Sequence, residues 1–190
     1  GTIASSPSTS PNRRARPSAK GPLPAADAPD IAANTPDREL PMTWKPHATV
    51  AVIVEDKQGR FLLVEERIDG DLVFNQPAGH IEKGEAVADA ARREALEETG
   101  WEVEPEAFLG MYRYIAPANG VTYFRFCFAA SPVRQVTTEL DTDIAAAHWL
   151  TLDEIRQRGD RLRSPMVLDC ILDYREGRRF PLEVIVEPEA

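Results

Sequence analysis

Short runs of apolar and β-branched residues, separated by polar turns, begin just after Met42 and continue through most of the chain. Five of these runs predict β-strands: residues 49–54, 61–64, 107–115, 121–129 and 148–150. The segment Glu55-Asp56-Lys57-Gln58-Gly59 separates the first two runs and predicts a hairpin turn. The strands are therefore expected to meet mostly as hairpins.

Three helices are predicted between and after these strands. A glycine-rich loop follows residue 64 and leads into a helix from about Glu85 to Thr99, which Gly100 closes at the usual C-cap position. The spacing of Thr151 and Glu154 is that of a capping box and predicts a short second helix. Ser164-Pro165 opens a third helix with one apolar face. Strands interrupted by helices indicate an α/β sandwich.

The first 41 residues have a different composition. They contain eight of the chain's 16 prolines among Ser, Ala and Thr, with few large apolar side chains. Such a segment cannot bury enough apolar surface to offset the entropy lost on ordering. We therefore expect residues 1–41 to be a disordered extension, residues 42–190 to be the folded domain, and Met42 to be the physiological start.

Composition and charge narrow the possible functions. Hydrophobic residues make up 43% of the chain, and no apolar run approaches the ~18 residues of a membrane span. The net charge of −9 disfavours polymeric nucleic acid as a partner, because that binding depends on Lys and Arg. The two cysteines, Cys127 and Cys170, have no metal-binding spacing. A single-domain cytoplasmic enzyme with reduced thiols, acting on a small molecule, is expected.

Three glutamates carry the main chemical signal. Glu94, Glu97 and Glu98 stand at i, i+3 and i+4, so their carboxylates project from one face of the predicted helix. Like charges at this spacing repel by roughly 0.2–0.5 kcal/mol per pair, and anions near a helix C-terminus oppose its dipole. A solvated acidic face is one interpretation. A site for Mg²⁺ or Mn²⁺ is the other, because a hard cation turns repelling carboxylates into ligands.

The surrounding residues favour the metal site. Residues 79–85 read Gly-His-Ile-Glu-Lys-Gly-Glu, and residues 93–101 read Arg-Glu-Ala-Leu-Glu-Glu-Thr-Gly-Trp. This pattern resembles the Nudix box, G-x5-E-x7-R-E-U-x-E-E-x-G-U with U apolar, and every fixed Gly, Glu and Arg is in register. Ala95 is small and Trp101 bulky for their positions. The resemblance implies a Nudix α/β/α sandwich with a mixed β-sheet and a loop-helix-loop box.

The resemblance also implies roles for individual residues. The candidate metal ligands are three carboxylates and one carbonyl group, from Glu94, Glu97, Glu98 and Gly79. The three glutamates are also the candidate catalytic residues, and whether Glu94 or Glu98 takes the proton from the attacking water is left open. Glu85 and Arg93 would stand behind the ligands, where Arg93 orients the carboxylates. The implied cofactor is Mg²⁺, with Mn²⁺ as a substitute.

Other residues give weaker signals. Asp141 and Asp143 precede the last predicted strand and are either extra metal ligands or part of a solvated acidic loop. The three histidines lack metal-ligand spacing and are expected to pack or cap. Four aromatic residues of the strands could supply a base-stacking platform, although strand aromatics more often belong to the core: Tyr112, Tyr114, Phe124 and Trp149.

A narrower resemblance, to phosphatases within the superfamily, covers most of residues 42–187. The segments that carry it include Lys45-Pro46-His47, Val64-Glu65-Glu66, Asn75-Gln76-Pro77-Ala78-Gly79-His80, Phe124-Arg125-Phe126 and Leu162-Arg163-Ser164-Pro165. It implies Mg²⁺-dependent release of inorganic phosphate from nucleoside tri- and diphosphates, and hydrolysis of hydroxymethylpyrimidine pyrophosphate.

Two alternative functions stay open. One is a pyrophosphatase that cuts an internal anhydride, as in ADP-ribose or oxidised nucleotides. The other is a nucleotide-binding regulator without turnover, which the intact box disfavours. The preferred base or sugar, the number of metal ions and the oligomeric state do not follow from the sequence.

Deleting residues 1–41 should leave the hydrolytic activity nearly intact, because this segment contributes none of the predicted site. The measurement is kcat/KM of the full chain and of the 42–190 fragment on the same substrate. A loss of about an order of magnitude in the fragment, more than ~1.4 kcal/mol of transition-state stabilisation, would contradict the assignment of this segment as an extension.

Overall fold

The computed structural model of the protein describes residues 44–187. The predictions of a disordered extension and of a start at Met42 fall outside these residues. Within the described part there are seven strands. In chain order, β1 to β7 are His47–Val54, Phe61–Ile68, Asp71–Asn75, Ala78–His80, Trp101–Ile115, Thr122–Gln135 and Ile144–Leu150.

Three α-helices and two short 3₁₀ helices accompany the strands. The α-helices are α1 at Val87–Thr99, α2 at Leu152–Gln157 and α3 at Met166–Arg175. The 3₁₀ helices are Gly159–Arg161 and Leu182–Val184. In the described part of the chain, no helix is both long enough and apolar enough to span a bilayer.

The strands form two sheets. One has the order β4-β1-β6-β5 and the other β3-β2-β7. β1 runs parallel to β6 and antiparallel to β4, so the four-stranded sheet is mixed. The predicted α/β sandwich with a mixed sheet is confirmed.

The core lies on both faces of β1. Ala51 and Ile53 face a cluster that includes Val167 and Ile171 of α3. Val50, Val52 and Val54, alternating with them, face a second cluster that includes Ala90, Ala91 and Ala95 of α1. Successive side chains of a strand point to opposite faces, so a strand covered on both sides needs an unbroken apolar run. This arrangement puts α1 and α3 on opposite sides of the sheet.

The hairpin turn predicted between the first two strands forms, but the strands do not continue it as a paired hairpin. The turn itself forms, with the Gly59 amide donating to the Asp56 carbonyl at 3.0 Å. However, β1 and β2 diverge beyond the single bridge between Glu55 and Phe61 and enter different sheets. Each strand pairs over a longer stretch with another strand, β1 with β6 and β2 with β7. These pairings override the local turn.

Two short strands and several strand ends were not predicted. β3 and β4 are five and three residues long and contain Asp, Asn or Gly, which are rare in strands. β2 continues past Val64 through Glu65, Glu66 and Arg67, because β3 and β7 pair with it there. These extensions come from pairing between segments that are distant in sequence, which local apolar patterns do not report.

Helix α1 begins two residues later than predicted and ends as predicted. Its first amide, from Val87, donates to the carboxylate of Glu187 at 3.0 Å. Glu85 therefore lies in the loop that precedes the helix. At its end, Gly100 adopts a left-handed φ of 72° and donates its amide to Leu96 at 2.8 Å. A β-carbon at position 100 would overlap the backbone carbonyl oxygen of Thr137.

Gly100→Ala should destabilise the protein more than Gly120→Ala does. Both glycines have φ near 70°, so both substitutions place an alanine in the left-handed region, which costs about 1 kcal/mol of stability. Only position 100 adds a backbone overlap, since nothing lies within 4 Å of a β-carbon at position 120. Chemical denaturation should give a loss at least ~1 kcal/mol larger for Gly100→Ala. Equal losses of unfolding free energy for the two variants would show that the backbone around Thr137 shifts without cost and would contradict the prediction.

Candidate active site

The predicted site residues converge where β4 leads into α1. Gly79 belongs to β4, Glu85 to the connecting loop, and Arg93, Glu94, Glu97 and Glu98 to α1. β4 is held by antiparallel pairing with β1, in which Gly79 is opposite Val50. The backbone of Gly79 runs so close to Glu94 that a β-carbon at position 79 would overlap the carboxylate. A β-carbon there would force the carboxylate of Glu94, which Arg93 holds, to move.

Arg93 organises the acidic residues around it. Its Nε and Nη2 donate to the two carboxylate oxygens of Glu85 at 2.7 and 2.9 Å. Its Nη1 donates to Glu94 at 2.8 Å and to Glu97 at 2.9 Å, and Nη2 also donates to the carbonyl of His80 at 3.0 Å. The rigid fork of a guanidinium suits such a bidentate pair. Arg93 thus fixes the positions of two candidate ligands from behind.

Glu98 is one of two buried glutamates of α1. Its side chain accepts a hydrogen bond from the amide of Ala78 at 2.8 Å, and the residue is only 9% exposed. Burial, reinforced by the negative charges of Glu94 and Glu66, raises the pKa of Glu98 to about 9. Burial also raises the pKa of Glu94, against the opposing effect of Arg93. Both carboxyl groups are held where they resist ionisation.

Glu66 of β2 belongs to the same cluster and was not predicted. An open cavity of about 420 Å³ is lined by Glu66 and Glu98 together with Asp141 and Asp143. Burial raises the pKa of Glu66, and one of its carboxylate oxygens has no hydrogen-bond partner among residues 44–187. Side chains alternate between the two faces of a strand. If β2 had been predicted to continue past Val64, this alternation would have indicated that Glu66 faces the site.

The loop with Asp141 and Asp143 meets the end of α1. The amide of Asp141 donates to the carbonyl of Glu97 at 3.1 Å, and the charge of Asp141 contributes to the raised pKa of Glu98. The two aspartates border the acidic cavity as exposed residues, and their role as metal ligands stays a prediction.

The donor set suits a hard divalent cation. Within the described residues no three His, Cys, Asp or Glu side chains already converge into a metal cage. Arg93 holds Glu94 and Glu97, and Ala78 holds Glu98, with the carboxylates still repelling one another. The acidic side chains of the site outnumber the cations beside them, Arg93 and Arg163, and carboxylate oxygens are the donors that Mg²⁺ and Mn²⁺ prefer.

The weaker candidates divide between core and cavity. Tyr112 donates to Asp173 at 2.6 Å, Phe124 packs edge-on against Trp44, and Trp149 against Trp101. Tyr114 lines a cavity. The histidines pack: His47 and His80 share a 2.7 Å hydrogen bond, and His148 contacts Glu65 at 3.2 Å. Cys127 is fully buried.

Known proteins share this fold and this sequence pattern. Residues 45–170 match the family described as NUDIX domain. Phosphatase NudJ of Escherichia coli K12 is 44% identical over 144 residues, which cover 75% of this chain and 92% of the relative. A NUDIX hydrolase from Nitrosomonas europaea is 42% identical, with a TM-score of 0.73 over 76% of this chain and 98% of its own.

A more distant structure has the same fold. The NUDIX domain of Shewanella oneidensis NrtR, solved in complex with ADP ribose, is 18% identical, with a TM-score of 0.58 over 70% of this chain and 88% of its own.

Glu98→Gln should stabilise the metal-free protein, and increasingly so as the pH rises. The unfolded carboxyl ionises near pH 4.5, whereas the folded one holds its proton to about pH 9. Between these values the unfolded chain has released a proton that the folded protein keeps, so the free energy of unfolding falls with rising pH. Glutamine has no such titration and still accepts from Ala78.

The measurement is Tm in chelator across pH 5 to 8, with Glu183→Gln as an exposed control. The Glu98→Gln advantage should grow with pH and reach at least ~2 °C at pH 8, whereas the control should track the unmodified protein. A difference that does not change with pH would contradict the raised pKa.

Proposed function

The chain belongs to the Nudix hydrolase family, whose members hydrolyse phosphorus-containing anhydrides, and on that premise we propose that it is a Mg²⁺-dependent phosphatase. Its substrates would be nucleoside triphosphates and diphosphates, with hydroxymethylpyrimidine pyrophosphate as a further candidate. Hydrolysis at the terminal anhydride would release inorganic phosphate. Mn²⁺ would support the same activity in place of Mg²⁺.

One observation carries this proposal: a buried carboxylate, Glu98, sits in the negative field of Glu94, Glu66 and Asp141, with its pKa raised to about 9. Such a cluster is unfavourable unless a cation joins it, and a phosphate chain could not approach it otherwise. Glu94, Glu97, Glu98 and the carbonyl of Gly79 would hold the cation. When bound, it would neutralise phosphate charge and lower the pKa of a nearby water.

The chain's own residues would divide the remaining work. Arg93, tied to Glu85 on its far side, keeps Glu94 and Glu97 turned toward the cation site. Glu94 or Glu98 would accept the proton of the attacking water, because these two glutamates of α1 are the buried ones. Gly79 leaves the space that Glu94 occupies. Positioning and charge neutralisation, the main needs of phosphoryl transfer, are met by this arrangement.

The resemblance to a relative named as a phosphatase supports cleavage of a terminal rather than an internal anhydride. Internal cleavage, as in ADP-ribose or oxidised nucleotides, would leave different products. Inorganic phosphate from ATP and ADP supports the proposal. AMP and a sugar phosphate from ADP-ribose, without phosphate release from ATP, would favour the alternative.

Glu98→Gln should lower kcat for phosphate release by at least ~10²-fold, because it removes a ligand without creating a cavity in the core. Phosphate release is measured with Mg²⁺, with Mn²⁺ and with chelator. Glu183→Gln, which changes an exposed carboxylate far along the chain, should keep the activity of the unmodified protein. Mg²⁺ should also raise the Tm of the unmodified protein but not that of Glu98→Gln. Full activity in chelator, or unchanged turnover in Glu98→Gln, would contradict the proposal.

A further inference from the structure

A second cavity, of about 260 Å³, opens beside the acidic one. Its walls come from the β5–β6 hairpin, the turn that joins these strands, the end of β2 and the start of α3. Ile68 lines both cavities, and Arg163 on the wall of the second is 3.7 Å from Glu66 in the first. A molecule with its phosphates over the acidic cluster could therefore extend its other end into this second cavity.

The walls of the second cavity suit a flat ring. Tyr114 and Tyr123 are directly opposite each other in the β5–β6 pairing, so they lie on the same face of the sheet. Pro117, Met166 and Ile68 add apolar surface around them. Aromatic and apolar walls of this kind pack against the faces of heterocycles, as they do in nucleic-acid recognition.

Two buried polar groups on these walls have no partner. Arg125 is 7% exposed, and its Nη1 donates to Gln76 at 3.2 Å and to Asn75 at 3.4 Å. Its Nε, and the hydroxyl of Ser164, which is 6% exposed, have no hydrogen-bond partner among residues 44–187. Buried donors are almost always paired. Both side chains line the second cavity, so their unpartnered donors point to a ligand with acceptor atoms.

The charges around the second cavity favour an uncharged ligand group. The positive charge of Arg163 is partly offset by Glu66, and Asp69 also lines the wall. Asp69 on the wall and Glu66 behind Arg163 offset the charges of the two arginines and would oppose a phosphate there. Ring nitrogens and carbonyl oxygens accept hydrogen bonds without adding charge, and guanidinium groups read such edges on nucleobases.

We propose that this second cavity binds the non-reacting end of the substrate, a nitrogen heterocycle of nucleobase size, with Arg125 and Ser164 donating to its acceptor atoms. Tyr114 and Tyr123 would contact the ring. This inference rests on the proposed function, because it places the phosphates of the same molecule at the acidic cavity. The heterocycle pocket would then set the choice of substrate, and the acidic cluster would carry out the cleavage.

The test compares a nucleoside triphosphate with inorganic tripolyphosphate, which carries the same anhydrides but no ring. The ratio of their kcat/KM values measures what the heterocycle contributes. We expect Ser164→Ala to lower this ratio by about threefold to tenfold, and Arg125→Lys by more than about tenfold, mainly through KM of the nucleotide. Ser131→Ala, a serine of β6 outside the cavity, should leave the ratio unchanged.

Arg125→Lys also removes contacts to Asn75 and Gln76, so its circular dichroism and Tm are recorded, and Ser164→Ala stands as the milder variant. Equal kcat/KM for both compounds, or a ratio unaffected by Ser164→Ala and Arg125→Lys, would overturn the heterocycle pocket while leaving the proposed hydrolysis intact. If the protein hydrolysed neither compound, that result would contradict the proposed function instead. In that case equal Kd values for the two compounds by titration calorimetry would overturn the pocket.

Discussion

The crowding of carboxyl groups at the C-terminal end of α1 is the constraint to which the surrounding structure responds, because burial and neighbouring charge oppose their ionisation. Glu98 and Glu94 are buried close together near a helix end whose dipole disfavours them. Arg93 offsets part of this charge through four hydrogen bonds to carboxylates, and the amide of Ala78 offsets another part. The site therefore stores an unfavourable free energy in the folded protein, which a bound cation would relieve.

The fold supports this strain with parts that are themselves unstrained. β1 is covered on both faces by apolar side chains, and it anchors β4 through regular antiparallel pairing. This pairing holds Gly79 against Glu94. A rigid, apolar layer on one side and a charged cluster on the other is a common arrangement where function opposes stability.

Much of this could be predicted from local sequence, and the rest depended on distant pairing. The spacing of Glu94, Glu97 and Glu98 and the cap at Gly100 specify a helix and a shared face within one segment. Glu66 was missed because its strand continues only where β3 and β7 pair with it. The heterocycle pocket was missed for a similar reason, since Arg125 and Ser164 come from separate segments that no local periodicity connects. The sequence also could not distinguish among the four aromatic candidates. The position of Tyr114 on a cavity wall depends on tertiary packing.

The hydrogen bond between Val87 and Glu187 has a consequence for how the chain matures. These residues are 100 positions apart, so during synthesis α1 leaves the ribosome long before the carboxylate that satisfies its first amide exists. Until then the first turn of the helix can only be hydrated, and frayed helix ends open readily. The first turn of α1 therefore gains this contact only after residue 187 has been synthesised.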